Sequence, residues 1–224
     1  MENTVSEYGA LLRATVLLAG LSEQETLCAL QRMDAVRRDY SRGAFLLHTG
    51  EKVVRFGLLL SGRLNACMDD LEGDRMIMAN VTEGMTFAES LCFLRVEESP
   101  VYIVSTEDSR VLWLSPHRLF ETEGDPLSAL LRNHFTAMLA ERTLSMNNRI
   151  QILSKLTLRE KLRTYFSSFI RDNGDGSFLV PMNREELAVY IGANRSALSR
   201  ELSKMRKEGA LDFKGSRFTI RHTD

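Results

Sequence analysis

Apolar positions change period twice along the chain. From Glu2 to about Met33 they recur at helical spacing: Leu11-Leu12, Val16, Leu18-Ala19, then Leu27, Leu30 and Met33. Ser22 followed by Glu25 forms a capping box that opens the second helical piece. From Asp34 to about Leu114 the apolar runs shorten and are punctuated by Gly and acidic residues. The predicted strands are Ala44–His48, Phe56–Met68, Arg75–Val81, Val101–Thr106 and Val111–Leu114. The turns are Asp39–Gly43, His48–Glu51, Leu60-Ser61-Gly62-Arg63, Asp69–Asp74 and Thr82-Glu83-Gly84. Many short strands at this spacing predict a small antiparallel barrel or sandwich.

Helical periodicity then returns. Pro126 suits a first helical turn, and no Gly or Pro interrupts Leu127 to Arg171. Leu131, Met138, Ser145 and Ile152 share one seven-residue row; Phe135, Arg142, Arg149 and Leu156 share its neighbour. That stripe predicts a coiled-coil-like seam against a second chain. Thr157 opens a further helix, Leu158–Phe169, closed by the turn Asn173-Gly174-Asp175-Gly176 and a short strand Phe178-Leu179-Val180.

Met182 to Gly209 carries the most information. Asn183 caps a helix with Glu185 and Glu186 at its positive end and Leu187, Ala188 and Ile191 on its inner face. Ala188 and Gly192 suit a close helix crossing and a tight turn. Asn194 caps a second helix with Ala197, Leu198, Leu202 and Met205 inside. Its other face holds Arg195, Ser196, Ser199, Arg200 and Ser203, and Lys204, Arg206 and Lys207 extend the charge. Such a face can enter a major groove, where Arg matches guanine bidentately. Leu211–Phe213 and Phe218–Ile220 read as a hairpin, with Lys214, Arg217 and Arg221 placed for phosphates. The pattern is a winged helix-turn-helix.

Charge sharpens this picture. The net charge of −1 hides 13 Lys and Arg against 9 Asp and Glu from Leu156 onward, and 16 against 21 before it. A basic C-terminal third suits nucleic acid. Cys28, Cys67 and Cys92 form no metal-ligand spacing and fit a reducing cytoplasm. No apolar run reaches the roughly 18–20 residues of a membrane helix, so no membrane partner is expected. The chain has no Gly-rich phosphate loop, no G-x-S-x-G and no H-E-x-x-H, so it is expected not to be an enzyme.

The order of barrel, long helix and winged helix-turn-helix resembles the CRP/FNR family of bacterial transcription regulators, named for the cyclic-AMP receptor protein and the fumarate–nitrate reduction regulator. The carrying residues are Glu185–Ala188, Gly192–Arg195, Leu198–Leu202 and Glu208–Leu211, together with Gly84–Glu89 and Leu60–Leu64. The resemblance implies an α+β fold in three parts. A cyclic-nucleotide-binding-like β-roll (double-stranded β-helix) spans 1–124, a dimerisation helix 125–155 and the DNA-binding domain 156–224. It implies a cytoplasmic homodimer on a palindromic operator in double-stranded DNA, with RNA polymerase as a further partner. Arg195, Ser196, Ser199, Arg200, Ser203, Lys204, Lys214 and Arg217 inherit DNA contacts. Arg200 takes the guanine-reading place. Ser196 departs from the family's Glu, which points to a different operator.

By the same resemblance Arg63, Glu89, Ser90, Ser99 and Tyr102 are effector-pocket candidates, with Met138 and Arg142 from the long helix. Glu97-Glu98-Ser99-Pro100 stands where the family pairs an Arg with the cyclic phosphate, which disfavours cyclic AMP. An N-terminal cysteine cluster for iron–sulfur is missing, and His48, His117 and His134 qualify as haem ligands by residue type alone. The expectation is another small-molecule effector or none. A regulatory module docking on a protein partner is the alternative.

Overall fold

Short-range capping sets the second helix. Ser22 Oγ accepts from the Glu25 amide at 3.3 Å while Glu25 Oε2 accepts from the Ser22 amide at 2.8 Å, so the predicted capping box forms. It opens α2 (Glu23–Arg32), which follows α1 (Glu2–Ala14). The structure, a computed structural model, describes residues 1–69, 72, 75–121, 124–172, 176–180 and 182–220. The chain divides into two compact units, Met1–Glu141 and Arg142–Asp224. No helix of the described residues is long and apolar enough to cross a membrane.

The first unit is built from two antiparallel four-stranded sheets. One orders β1 (Val36–Tyr40), β8 (Ser109–Leu114), β3 (Phe56–Ser61) and β6 (Thr86–Phe87). The other orders β2 (Phe45–Leu47), β7 (Tyr102–Ser105), β4 (Leu64–Asp69) and β5 (Arg75–Val81). Residues of both sheets, among them Phe56, Leu58, Leu60, Leu64, Val81, Ile103 and Leu112, meet in one apolar core. Phe87 meets Trp113 edge-on at 5.3 Å.

One expected strand is corrected, and elements that the apolar pattern does not predict stand beside it. The run Phe56–Met68 is not one strand: Gly62 takes φ +93°, and a side chain there would meet the Asp108 carbonyl at 2.6 Å, so the chain reverses between β3 and β4. The predicted turn Leu60–Arg63 is this reversal. Val36–Tyr40, with three charged residues among five, is nonetheless a strand paired along β8. Two short helices were also missed, α3 (Glu89–Phe93) and α4 (His117–Glu121).

The long helix is α5 (Pro126–Leu153). Its predicted inter-chain stripe belongs largely to the chain itself. Leu131, Phe135 and Met138 complete the barrel core, with the Phe135 ring tilted against that of Phe56 at 5.5 Å. Ile152 lies in the core of the second unit, and Arg149 packs over the Tyr190 ring. Periodicity marked a buried face without saying which partner buries it.

The second unit joins the end of α5 to α6 (Leu158–Asp172), β9 (Ser177–Leu179), α7 (Arg184–Tyr190), α8 (Arg195–Lys207), β10 (Leu211–Lys214) and β11 (Arg217–Ile220). The three strands form one sheet in the order β10-β11-β9. Leu162, Phe166, Phe178, Leu187, Ala188, Leu198, Leu202, Met205 and Phe218 form its core. The predicted turn at 173–175, Arg221 and Asp70 lie outside the described residues.

Candidate nucleic-acid interface

Two caps set the helix pair. Asn183 Oδ1 accepts from the Glu185 and Glu186 amides at 2.9 and 3.0 Å, and Glu186 returns a bond to the Asn183 amide. Asn194 Oδ1 accepts from the Ala197 amide at 2.7 Å. Between them Gly192 takes φ +65°, and its missing side chain leaves room for Leu153, 3.0 Å from where a Cβ would stand. Ala188, 2% exposed, lies in the core beside Leu198 and Leu202 of the second helix.

With Leu198, Leu202 and Met205 pointing inward, the 3.6 period turns Arg195, Ser196, Ser199, Arg200, Ser203 and Lys204 outward, and all six are exposed. Ser199, Arg200, Ser203, Lys204 and Lys207 line one open groove of about 440 Å³. Lys207 was left out of the predicted contact set, although it sits one turn beyond Ser203 on the same face. Arg195, Arg200, Lys204 and Lys207 form no ion pair among the described residues. Ser203 Oγ donates back to the Ser199 carbonyl at 2.8 Å. On the hairpin, Lys214 and Arg217 face each other in register and are exposed.

The acidic and aromatic neighbours of this face point elsewhere. Glu201 sits behind it, held by Arg159 Nε at 2.6 Å, while Arg159 Nη1 holds Glu208 at 2.6 Å. The Arg159 guanidinium beside it keeps the Glu208 carboxyl below its usual range. Arg206 does not extend the groove. It pairs with Asp212 at 2.8 Å and lies over the Phe213 ring.

The effector candidates fall in separate places. Arg63 sits on the β3–β4 turn, 3.5 Å from Glu107. Ser99 is buried, donating through Oγ to the Val101 carbonyl at 2.7 Å. Tyr102 donates to Asp69 at 2.8 Å and accepts from Arg75 at 2.7 Å. Glu89 is 4% exposed at the start of α3, whereas Ser90 is exposed. Met138 accepts a long bond from Thr86 Oγ1 at 3.6 Å, and Arg142 is half-buried further along α5. Glu97 is exposed and paired with Lys52.

Histidines and cysteines are equally scattered. His117 lies 3.2 Å from the Cys92 carbonyl and His134 lies 3.1 Å from that of Leu17. His48 stacks on Phe45. Burial pushes the thiols of Cys67 and Cys92 up, the latter to about 11, so both stay protonated at neutral pH.

Comparison with known proteins converges on these two units. Residues 37–122 match the family model of the cyclic nucleotide-binding domain, and residues 156–224 that of the Crp-like helix-turn-helix domain. The transcriptional activator protein FnrL of Cereibacter sphaeroides is 30% identical over 78 residues, covering 31% of this chain and 32% of that protein. The match thus spans about a third of that relative's length. The catabolite activator protein of Thermus thermophilus is 21% identical with TM-score 0.50, over 92% of this chain and 94% of its own. FixK2 of Bradyrhizobium japonicum is 19% identical with TM-score 0.55, over 84% and 93% respectively. At these identities the structures speak for the fold alone. A cyclic-nucleotide-binding-type barrel and a Crp-like helix-turn-helix on one chain define the class. The chain belongs to the CRP/FNR family.

Proposed function

We propose that this chain is a homodimeric, sequence-specific DNA-binding transcription regulator whose barrel takes an effector other than cyclic AMP. The observation that carries the reading is the outer face of α8. It holds two arginines, three serines and two lysines with no acidic residue among them, and its cations are exposed and form no ion pair among the described residues. Arg195 and Arg200 have the fork that guanine edges require, serine accommodates more than one base, and Lys204, Lys214 and Arg217 meet phosphates.

The second copy meets the first along α5. Leu130, Ala137 and Leu144 recur every seven residues on its exposed face, with Asn133, Ala140 and Asn147 between them. Leu130 and Leu144 are 40% and 63% exposed in the single chain. Small and amide residues in such a seam permit close approach and set register. Two copies so joined present their reading helices to half-sites about one DNA turn, roughly 34 Å, apart.

The effector reading rests on what surrounds the candidate pocket. A cyclic phosphate buried without a cation is costly. At the place of the family's arginine stand exposed acids and a serine whose hydroxyl is already bonded to Val101.

Selection from fragments of the source genome, with binding followed against salt, tests the reading. The expected result is enrichment of a two-fold symmetric site bound by a dimer, with affinity falling steeply as salt rises. A chain that stays monomeric and retains no duplex overturns it.

A further inference from the structure

Arg184 is the first residue of α7, next to the cap Asn183 and close to the basic hairpin. By residue type and place it belongs among the phosphate contacts. Its guanidinium is engaged otherwise. The central carbon lies 4.9 Å from the Phe213 ring centre and 4.6 Å from that of Phe218. Nη2 donates to the Gly215 carbonyl at 2.9 Å. Phe213 and Phe218 face each other in register across β10 and β11, and Gly215 lies in the turn that joins these strands. One side chain therefore spans both strands and the tip of the hairpin. Burial pushes the pKa of Arg184 down from its ordinary value.

The hairpin needs such a hold. Each of its strands has four residues, and β9 pairs with β11 over three positions only. A short two-stranded ribbon does not keep a fixed attitude by itself. Besides the burial of Leu211 and Phe218 in the core, the Val180 amide donates to the Ser216 carbonyl at 2.9 Å, and Ser216 Oγ to the Met182 carbonyl at 3.5 Å. From α8, Arg206 lies 5.3 Å from the Phe213 ring centre and pairs with Asp212. Each helix of the pair thus contributes one arginine to the hairpin. The two exposed cations, Lys214 and Arg217, form the register pair immediately beyond Phe213 and Phe218.

We propose that Arg184 is a positioning residue: it fixes the hairpin against the helix pair so that Lys214 and Arg217 reach the DNA phosphates, and it touches no phosphate itself. This rests on the DNA-binding function proposed above. The role calls for arginine in particular. A planar, weakly hydrated guanidinium can lie over two rings and still donate to a carbonyl in its plane; a lysine ammonium is a compact, strongly hydrated point charge.

Arg184→Lys keeps the charge and removes the stacked fork. DNA binding is compared across salt for the parent, R184K, the double variant K214A/R217A and the triple variant, on selected and random duplexes. R184K is expected to weaken both duplexes by the same factor, about three- to tenfold. Its log K against log salt should flatten toward the slope of K214A/R217A, which loses about 2. In the triple variant R184K should add nothing. A further, additive loss there would mean that Arg184 contacts a phosphate of its own, and would overturn the proposal.

Amide hydrogen exchange supplies a readout without DNA. R184K should speed exchange at Val180, whose amide donates to the Ser216 carbonyl at the hairpin tip, while leaving Leu198 and Leu202 of α8 protected, which separates loosening of the hairpin from loss of the fold. Parent-like exchange and parent-like salt dependence in R184K would overturn the clamp alone. A parent that binds no duplex would overturn the DNA-binding function, and the clamp's purpose with it.

Discussion

Arginine has three different uses within the second unit, and residue type alone does not separate them. Arg159 holds two carboxylates, Glu201 and Glu208. Arg184 and Arg206 lie over phenyl rings. Arg195 and Arg200 are exposed on α8 and form no ion pair among the described residues. The last class is the one free to read bases. Arg200→Ala is expected to cost about 1–3 kcal/mol on the selected duplex and to relax preference at one position, as loss of a bidentate contact does. Equal affinity of parent and variant for selected and random DNA would remove Arg200 from the reading set. Ser196, beside Arg195, offers a short hydroxyl that discriminates weakly between bases. The outward placement of these residues was legible from the 3.6 period, because Leu198, Leu202 and Met205 fix the opposite face. The engagement of Arg184 and Arg206 was not, because it depends on rings 29 and 34 positions beyond Arg184 and 7 beyond Arg206.

At the scale of elements, local signals located the helices that have side-chain caps. Ser22, Asn183 and Asn194 were identifiable before any tertiary contact was known, and each accepts the backbone bond that a cap provides. Asn194→Ala is expected to destabilise the second unit by about 1 kcal/mol, measured as a fall in its denaturation midpoint at unchanged slope. Elements held by distant partners were harder. β1 reads as polar because its residues are half covered, with Arg37 and Asp39 paired to Glu7 and Arg110. The break at Gly62 was visible as a turn yet hidden inside a continuous apolar run. The stripe on α5 has the predicted period, and its members Leu131, Phe135, Met138 and Ile152 are buried within the chain, whereas Ser145 and Leu156 are exposed. Leu131, Phe135 and Met138 serve the barrel, and the row left exposed is Leu130, Ala137 and Leu144.

For the whole molecule, charge and acid response follow from how the carboxylates are held. Bonds from Arg110 hold Asp39 below the usual carboxylate range, bonds from Ser128 and then Arg32 do so for Asp125, and Arg159 does so for Glu208. Each folded-state pKa lies below its unfolded value. Such groups lend stability above the ordinary carboxylate range and lose it as pH falls through the depressed values. The melting temperature should therefore hold between about pH 5 and 7 and fall below about pH 4. A midpoint that rises on acidification would contradict these pairings. The modest basic surplus of the last third gains its effect by sorting: the cations of α8 and the hairpin tip stay exposed, while Arg159, Arg184 and Arg206 are used internally. One further consequence comes from α5, whose early turns are core residues of the barrel and whose Ile152 is a core residue of the second unit. Swapping modules between relatives at either end of that helix would strip one half of its hydrophobic anchor. A chimera that keeps both halves soluble has its crossover inside the helix, in the exposed stretch Thr143–Asn148.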